Sequence, residues 1–183
     1  MKILLIDNGT SLLNKLKTLI PGDEVVERFD AFHHADAAAY DLVILSGGSL
    51  FSLIGNEDKF AEEYACIRSG SKPIIGICFG FELVLTAFGG SLKKLQVKDS
   101  GVKEIEIKDP RVYTKPSISV YENHEWGGDF IPETVDVLAV SAQGPEIIKH
   151  KEFPIYGMQF HPEHCVDTLE GDEVFFNIVK QIL

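Results

Sequence analysis

Basic residues are scarce in this sequence. Lys and Arg number 17 against 28 Asp and Glu, a formal net charge of −11 over 183 residues. That argues against a nucleic-acid-binding surface, which depends on clustered Lys and Arg to displace counterions. Cysteine is also sparse: Cys66, Cys78 and Cys165 are odd in number, widely spaced and form no CxxC pair. Reduced thiols are therefore expected rather than a disulfide framework. Long apolar runs are missing, and none approaches the ~20 residues that a membrane-spanning helix needs. The opening MKILLIDNG has one lysine, a short apolar run that stops at Asp7 and no small-residue cleavage site. It reads as a first strand rather than a signal peptide. The expectation is a cytoplasmic protein with no membrane or nucleic-acid partner.

What is present is an ordinary globular composition, 45% apolar and 25% charged. The length suits one domain, 1–183, with a real core. Strand-like and helix-like segments alternate in the first half. KILLID (Lys2–Asp7), EVVERF (Glu24–Phe29), DLVILSGG (Asp41–Gly48) and PIIGIC (Pro73–Cys78) read as strands. Ser11–Ile20, Glu57–Ser69 and Gly80–Phe88 read as helices, each closed by a Gly or Pro-Gly signal. The order predicts an α/β fold with an open, mostly parallel twisted sheet and helices on both faces. The second half is strand-rich: Lys103–Lys108, Ser117–Asn123, Val135–Ala142, Glu146–His150 and Pro154–Phe160, then a helix over Thr168–Leu183. This adds a smaller antiparallel portion.

The stretch PIIGICFGFELVL (Pro73–Leu85) places glycines two positions either side of Cys78, between a strand and a helix. A residue on such a sharp turn projects over the C-terminal edge of the sheet, where ligands bind. Its crowded backbone tolerates only small neighbours, as in the G-x-S-x-G elbow of serine nucleophiles. The helix start beside it favours thiolate. The elbow alone leaves two readings open, a nucleophile or a small buried hydrophobe.

A nucleophilic cysteine needs a base, and the base needs an orienting group. PIYGMQFHPEHC offers His161 at the end of a strand, with Glu163 two residues on and, in extended chain, on the same side. His161, Glu163, His164 and Cys165 match no zinc spacing, so no metal is expected. An oxyanion hole would take the N–H of Phe79, after the nucleophile, and that of Gly48 in the SGG loop following the third strand. Read alone, SGG is only a turn.

Together SGG, G-I-C-F-G and G-M-Q-F-H-P-E resemble a class I glutamine amidotransferase domain over nearly the whole chain. The resemblance implies a Cys78-His161-Glu163 triad acting on L-glutamine through a γ-glutamyl thioester, with Gly47, Glu82 and His124 at the substrate and no cofactor. It implies that ammonia passes to an ATP-dependent synthetase. PIYGMQFHPE, TLEGDEVFFNI and YENHEW are most similar to the glutaminase subunits of GMP synthases, whose partner is an ATP-pyrophosphatase that turns XMP into GMP. Alternatives are a stand-alone γ-glutamyl hydrolase or peptidase, and a weakly active regulatory homologue with the same fold. Three departures stand out. Ser49 replaces the family's proline after SGG, Glu82 replaces a glutamine, and Trp126 stands where that group has an aspartate tied to communication with the synthetase. Glu82 lies one helical turn after Cys78. It either pairs with a cation, such as the α-ammonium of glutamine, or points to solvent. Cys66 is expected in the core and His33-His34 on a solvated surface.

Overall fold

The computed structural model describes residues 1–48, 50–164 and 169–183. Ser49, Cys165 and the start of the expected last helix at Thr168 lie outside them. Nine strands form one sheet: β1 (Lys2–Asp7), β2 (Asp23–Arg28), β3 (Leu42–Leu45), β4 (Ile74–Ile77), β5 (Ser91–Ile107), β6 (Ser117–Phe130), β7 (Val135–Val140), β8 (Pro145–His150) and β9 (Ile155–Met158). Their order is β2-β1-β3-β4-β9-β8-β7-β5-β6. Strands β2, β1, β3, β4 and β9 run parallel, whereas β8, β7, β5 and β6 continue the same sheet in antiparallel pairing.

The parallel strands are nearly continuous runs of Ile, Leu and Val because both of their faces are covered. Alternate side chains feed two cores. Ile3 and Leu5 pack with Leu16 and Leu19 of α1 (Leu13–Leu19) and with Phe175 and Ile178 of α4 (Gly171–Ile182). Leu4 and Ile6 pack on the other face with Ile67 of α2 (Ala61–Ser69) and Phe81 and Leu85 of α3 (Phe79–Ala87). Each fully buried Phe, Leu or Ile contributes about 1.5–3 kcal/mol of apolar transfer. Among the described residues no helix is long and apolar enough to cross a membrane.

Two boundaries differ from expectation. The helix expected over Glu57–Ser69 begins as a 3-10 turn, Glu57–Phe60, before α2 proper. The strand expected only at Lys103–Lys108 is the end of a 17-residue strand, and its partner runs on to Phe130. The added part, SLKKLQVKDS, is largely exposed and lacks an alternating apolar face. Pairing with β6 makes it a strand, and no local pattern announces it.

Registers align the ends of β3, β4 and β9: Leu45 pairs with Gly76, and Ile77 with Met158. The segments that follow, Ser46–Gly48, Cys78 and His161, therefore emerge side by side at one edge.

Candidate active site

Cys78 caps the start of α3 with φ +50° and ψ −100°. It is the one non-glycine residue at positive φ among those described. Such a conformation costs on the order of 1–3 kcal/mol and persists only when its surroundings enforce it. They do. A Cβ on Gly76 would lie 2.2 Å from the carbonyl oxygen of Gly80, and one on Gly80 would lie 2.4 Å from that of Leu45. Backbone thus meets backbone where α3 presses onto β3 and β4. The Cys78 N–H donates to Met158 O at 2.8 Å, tying the elbow to β9. Phe79 opens α3, so its N–H has no partner within the helix and stands at the positive end of the helix dipole.

His161 and Glu163 come from the loop after β9. His161 Nδ1 lies 2.9 Å from Glu163 Oε1, and both side chains are buried. The contact expected for extended chain is present, but a turn makes it: His164 N–H donates to His161 O at 3.1 Å. Pro162 interrupts the strand, and the turn swings Glu163 behind the imidazole. The loop is docked on the antiparallel strands. His161 N–H donates to Tyr121 O on β6, Gln159 N–H donates to Glu146 O on β8, and the His164 ring stacks on Tyr121 at 3.7 Å. Tyr121 and His164 thus hold His161 in place, a role no motif announced.

Opposite Glu163, His161 Nε2 is buried without a partner of hydrogen-bonding geometry. The Cys78 sulfur lies close enough to act on it. Burial opposes the imidazolium, but the sulfur and Glu163 outweigh it and raise the His161 pKa well above the ordinary histidine value. Burial pushes the Cys78 thiol up, while a charged His161 pulls it down. The proton is therefore shared within one coupled pair, and Glu163 favours its residence on the ring.

The SGG loop is strapped to the end of β1. Asn8 N–H donates to Ser46 Oγ at 2.9 Å, Asn8 Nδ2 donates to Ser46 O, and Ser46 Oγ–H donates to Gly47 O at 2.8 Å. A Cβ on Gly47 would lie 3.2 Å from the His161 ring. One on Gly48 would lie 2.9 Å from Asn8 O and 3.0 Å from the Phe79 ring. The two glycines let this loop close against the nucleophile and its base.

A cavity of about 280 Å³ opens at this edge, lined by Cys78, Phe79, Gly48, Glu82, His124 and His161, with Lys98 and Trp126 also on its wall. Six of the eight expected site residues therefore share one space. Gly47 packs beside His161 and Cys78, and Glu163 stands behind His161. The solvent alternative for Glu82 is overturned: the residue is 5% exposed, because the turn of α3 that carries it faces the cavity under Trp126 and His124. Burial alone raises its pKa to about 8. His124 is both a core histidine and a cavity residue. Burial lowers its pKa, and its Nδ1 meets Trp126 O at 2.7 Å. Cys66 is buried, and His34 is exposed beside Glu62, both as expected.

Behind the cavity lies a group the sequence did not reveal. Donor atoms of Glu122, His124 and Glu146 lie within 4.8 Å of one another, all buried, a set that could hold a metal ion. His124 Nε2 is 3.2 Å from Glu122 Oε2, and Ser141 Oγ–H donates to Glu146 at 2.5 Å. Burial raises Glu122 to about 8, and burial together with Glu122 raises Glu146 well above the carboxylate range. Protons held on the two carboxyls satisfy the charge there without a metal.

The family model for glutamine amidotransferase class-I matches residues 4–182. The glutamine-hydrolysing subunit of GMP synthase from Pyrococcus abyssi is 30% identical over 192 residues, 97% of each chain. The carbamoyl phosphate synthase small chain of Clostridium perfringens is 33% identical over 147 residues, 78% of this chain and 40% of that one. Among solved structures, a Thermoplasma acidophilum protein proposed to be a GMP synthase subunit superposes with TM-score 0.88. It is 26% identical, and the match covers 100% of this chain and 94% of that one.

Proposed function

The chain belongs to the class I glutamine amidotransferase family, and on that premise we propose that it is the glutamine-hydrolysing subunit of a GMP synthase. Residues 1–183 act as one glutaminase domain, in the cytoplasm, where thiol nucleophiles stay reduced. It supplies ammonia to a separate ATP-dependent synthetase subunit that aminates XMP. Relatives that match along almost their full length bear the name of that glutamine-hydrolysing subunit. The observation that carries the chemistry is the buried line from Glu163 through His161 Nδ1 to a ring whose Nε2 is left for a strained cysteine.

The reaction follows from that line. His161 accepts the Cys78 proton, and the sulfur attacks the side-chain carboxamide carbon of glutamine. The carbonyl electrons move to oxygen, which the N–H groups of Phe79 and Gly48 receive. As the tetrahedral species collapses, the C–N bond breaks and His161 gives its proton to the departing nitrogen. Ammonia leaves, and a γ-glutamyl thioester remains on Cys78. Water then attacks the thioester carbon and passes a proton to His161. The C–S bond breaks, and glutamate leaves with the thiol restored. Glu163 stabilises the imidazolium in both halves and fixes which nitrogen faces the sulfur.

Glutamate release from L-glutamine by the purified chain, alone and with its synthetase partner, tests this reading. Cys78→Ala should lower turnover on the order of 10⁴-fold or more. Full activity in that variant would overturn it.

A further inference from the structure

Glu82 is a carboxyl group on the wall of the reaction cavity, 5% exposed, with no ion pair among the described residues. Its neighbours along α3, Phe81, Leu83 and Val84, are buried and apolar. A carboxylate in such a place needs a cation, and the protein supplies none. Helical side chains lean toward the N-terminus, so Glu82 leans back toward Cys78, four residues earlier. Neighbours at that spacing lie ~6 Å apart at Cβ, a distance comparable to that between the carboxamide carbon and the α-nitrogen of glutamine. Across the cavity stands Lys98, which also makes no ion pair among the described residues. The cavity thus presents one acid and one base that are not paired with each other, as a zwitterion requires.

We propose that Glu82 binds the α-ammonium of the substrate and Lys98 its α-carboxylate, so that the site selects γ-carboxamides with a free α-amino group. The inference rests on the glutaminase reading above. In the empty cavity burial keeps Glu82 protonated to about pH 8. Binding an ammonium requires the ionised form, so a proton leaves as substrate enters. The titratable groups sharing the cavity are Cys78 on α3's own first turn, Lys98 from β5, His124 and Glu125 from β6, and His161 after β9. From α2, Tyr64 bonds to Thr86 on α3, and β3 and β4 present only apolar side chains and glycine. None of these outweighs burial at Glu82.

Calorimetric titration of the Cys78→Ala chain with L-glutamine, in two buffers of different ionisation enthalpy, reads affinity and proton count together. The expected result at pH 7 is release of about one proton, with binding more than about tenfold tighter at pH 8.5 than at pH 6.5. Adding Glu82→Gln should weaken binding about tenfold or more at pH 8.5 and abolish both the proton release and the pH dependence. Lys98→Met should weaken binding less and leave the proton release intact. N-acetyl-L-glutamine should bind poorly, and equally so with or without the Glu82→Gln change. Unchanged affinity in Glu82→Gln, or binding that tightens as pH falls, would overturn the inference and leave the glutaminase reading standing. No glutamine binding at any pH by the Cys78→Ala chain would overturn that reading itself. If Glu82→Gln melts early, the proton count in the Cys78→Ala chain alone still decides.

Discussion

The parallel and antiparallel halves of the sheet solve different problems. The parallel strands β1, β3 and β4 are apolar and almost wholly buried, and their buried acids, Glu63 and Glu82, sit on the helices that cover them. The antiparallel strands bury charge within the sheet itself: Asp99 on β5, Glu122 and His124 on β6, Glu146 and His150 on β8. The first half places the nucleophile by steric exclusion, backbone against backbone. The second half places the base by hydrogen bonds to Tyr121 and by the turn that brings in Glu163. The reaction centre lies where they meet, and Cys78 N–H to Met158 O is one of the bonds across that junction. Steric placement should fail abruptly when atoms are added, whereas polar placement should fail by degrees and with pH.

The largest effect is expected from Gly80→Ala. The new methyl would lie 2.4 Å from Leu45 O and 2.9 Å from Leu45 Cβ, with no flexible side-chain end to yield. Overpacking of this kind costs about 1–3 kcal/mol and often more, and a shift of even 1 Å at the elbow costs ~10²-fold in rate. A lowered melting temperature together with nearly complete loss of glutaminase activity is expected. Normal activity would show that α3 does not hold the elbow by close approach.

Glu163→Gln comes next. It keeps size and burial but removes the charge that favours a protonated ring. Turnover should fall about 10²–10⁴-fold with little change in KM, since the loss concerns the charged transition state rather than glutamine binding. Stability should change little. A fall in KM-linked affinity with turnover intact would move Glu163 from orienting the base to shaping the pocket.

These two residues also mark what the sequence made legible. The elbow glycines, the triad and SGG were readable because backbone crowding and nucleophile chemistry restrict residue type at fixed spacing. Glu122 and Glu146 were not, since they lie on different strands and a strand's exposed face also carries acids. Nothing local signals that β6 and β8 turn these carboxyls inward to one point. The first half of β5 was hidden for a related reason, because its strand character comes from β6. Asn8 and Tyr121 position the site through backbone contacts, for which their side-chain types are no guide.

The smallest expected effect concerns that buried acid group and shows itself in stability. Unfolded, Glu122 and Glu146 ionise near 4.5; folded, Glu122 holds its proton to about 8 and Glu146 beyond the ordinary range. Between those values the folded state binds more protons than the unfolded one, so stability falls as pH rises. Glu63, which burial also raises to about 8, acts in the same direction from the other half. Each such group contributes up to about 1.4 kcal/mol per pH unit, worth a few degrees in a chain of this size. The melting temperature should therefore drop from pH 5.5 to pH 8. Glu146→Gln, neutral throughout, should flatten that slope and raise the melting temperature at pH 8. Glu63→Gln should do the same from the parallel side. A slope insensitive to Glu146→Gln but removed by Glu63→Gln would mean that the antiparallel group is neutralised by something other than its own protons. A bound metal ion is then the next thing to measure.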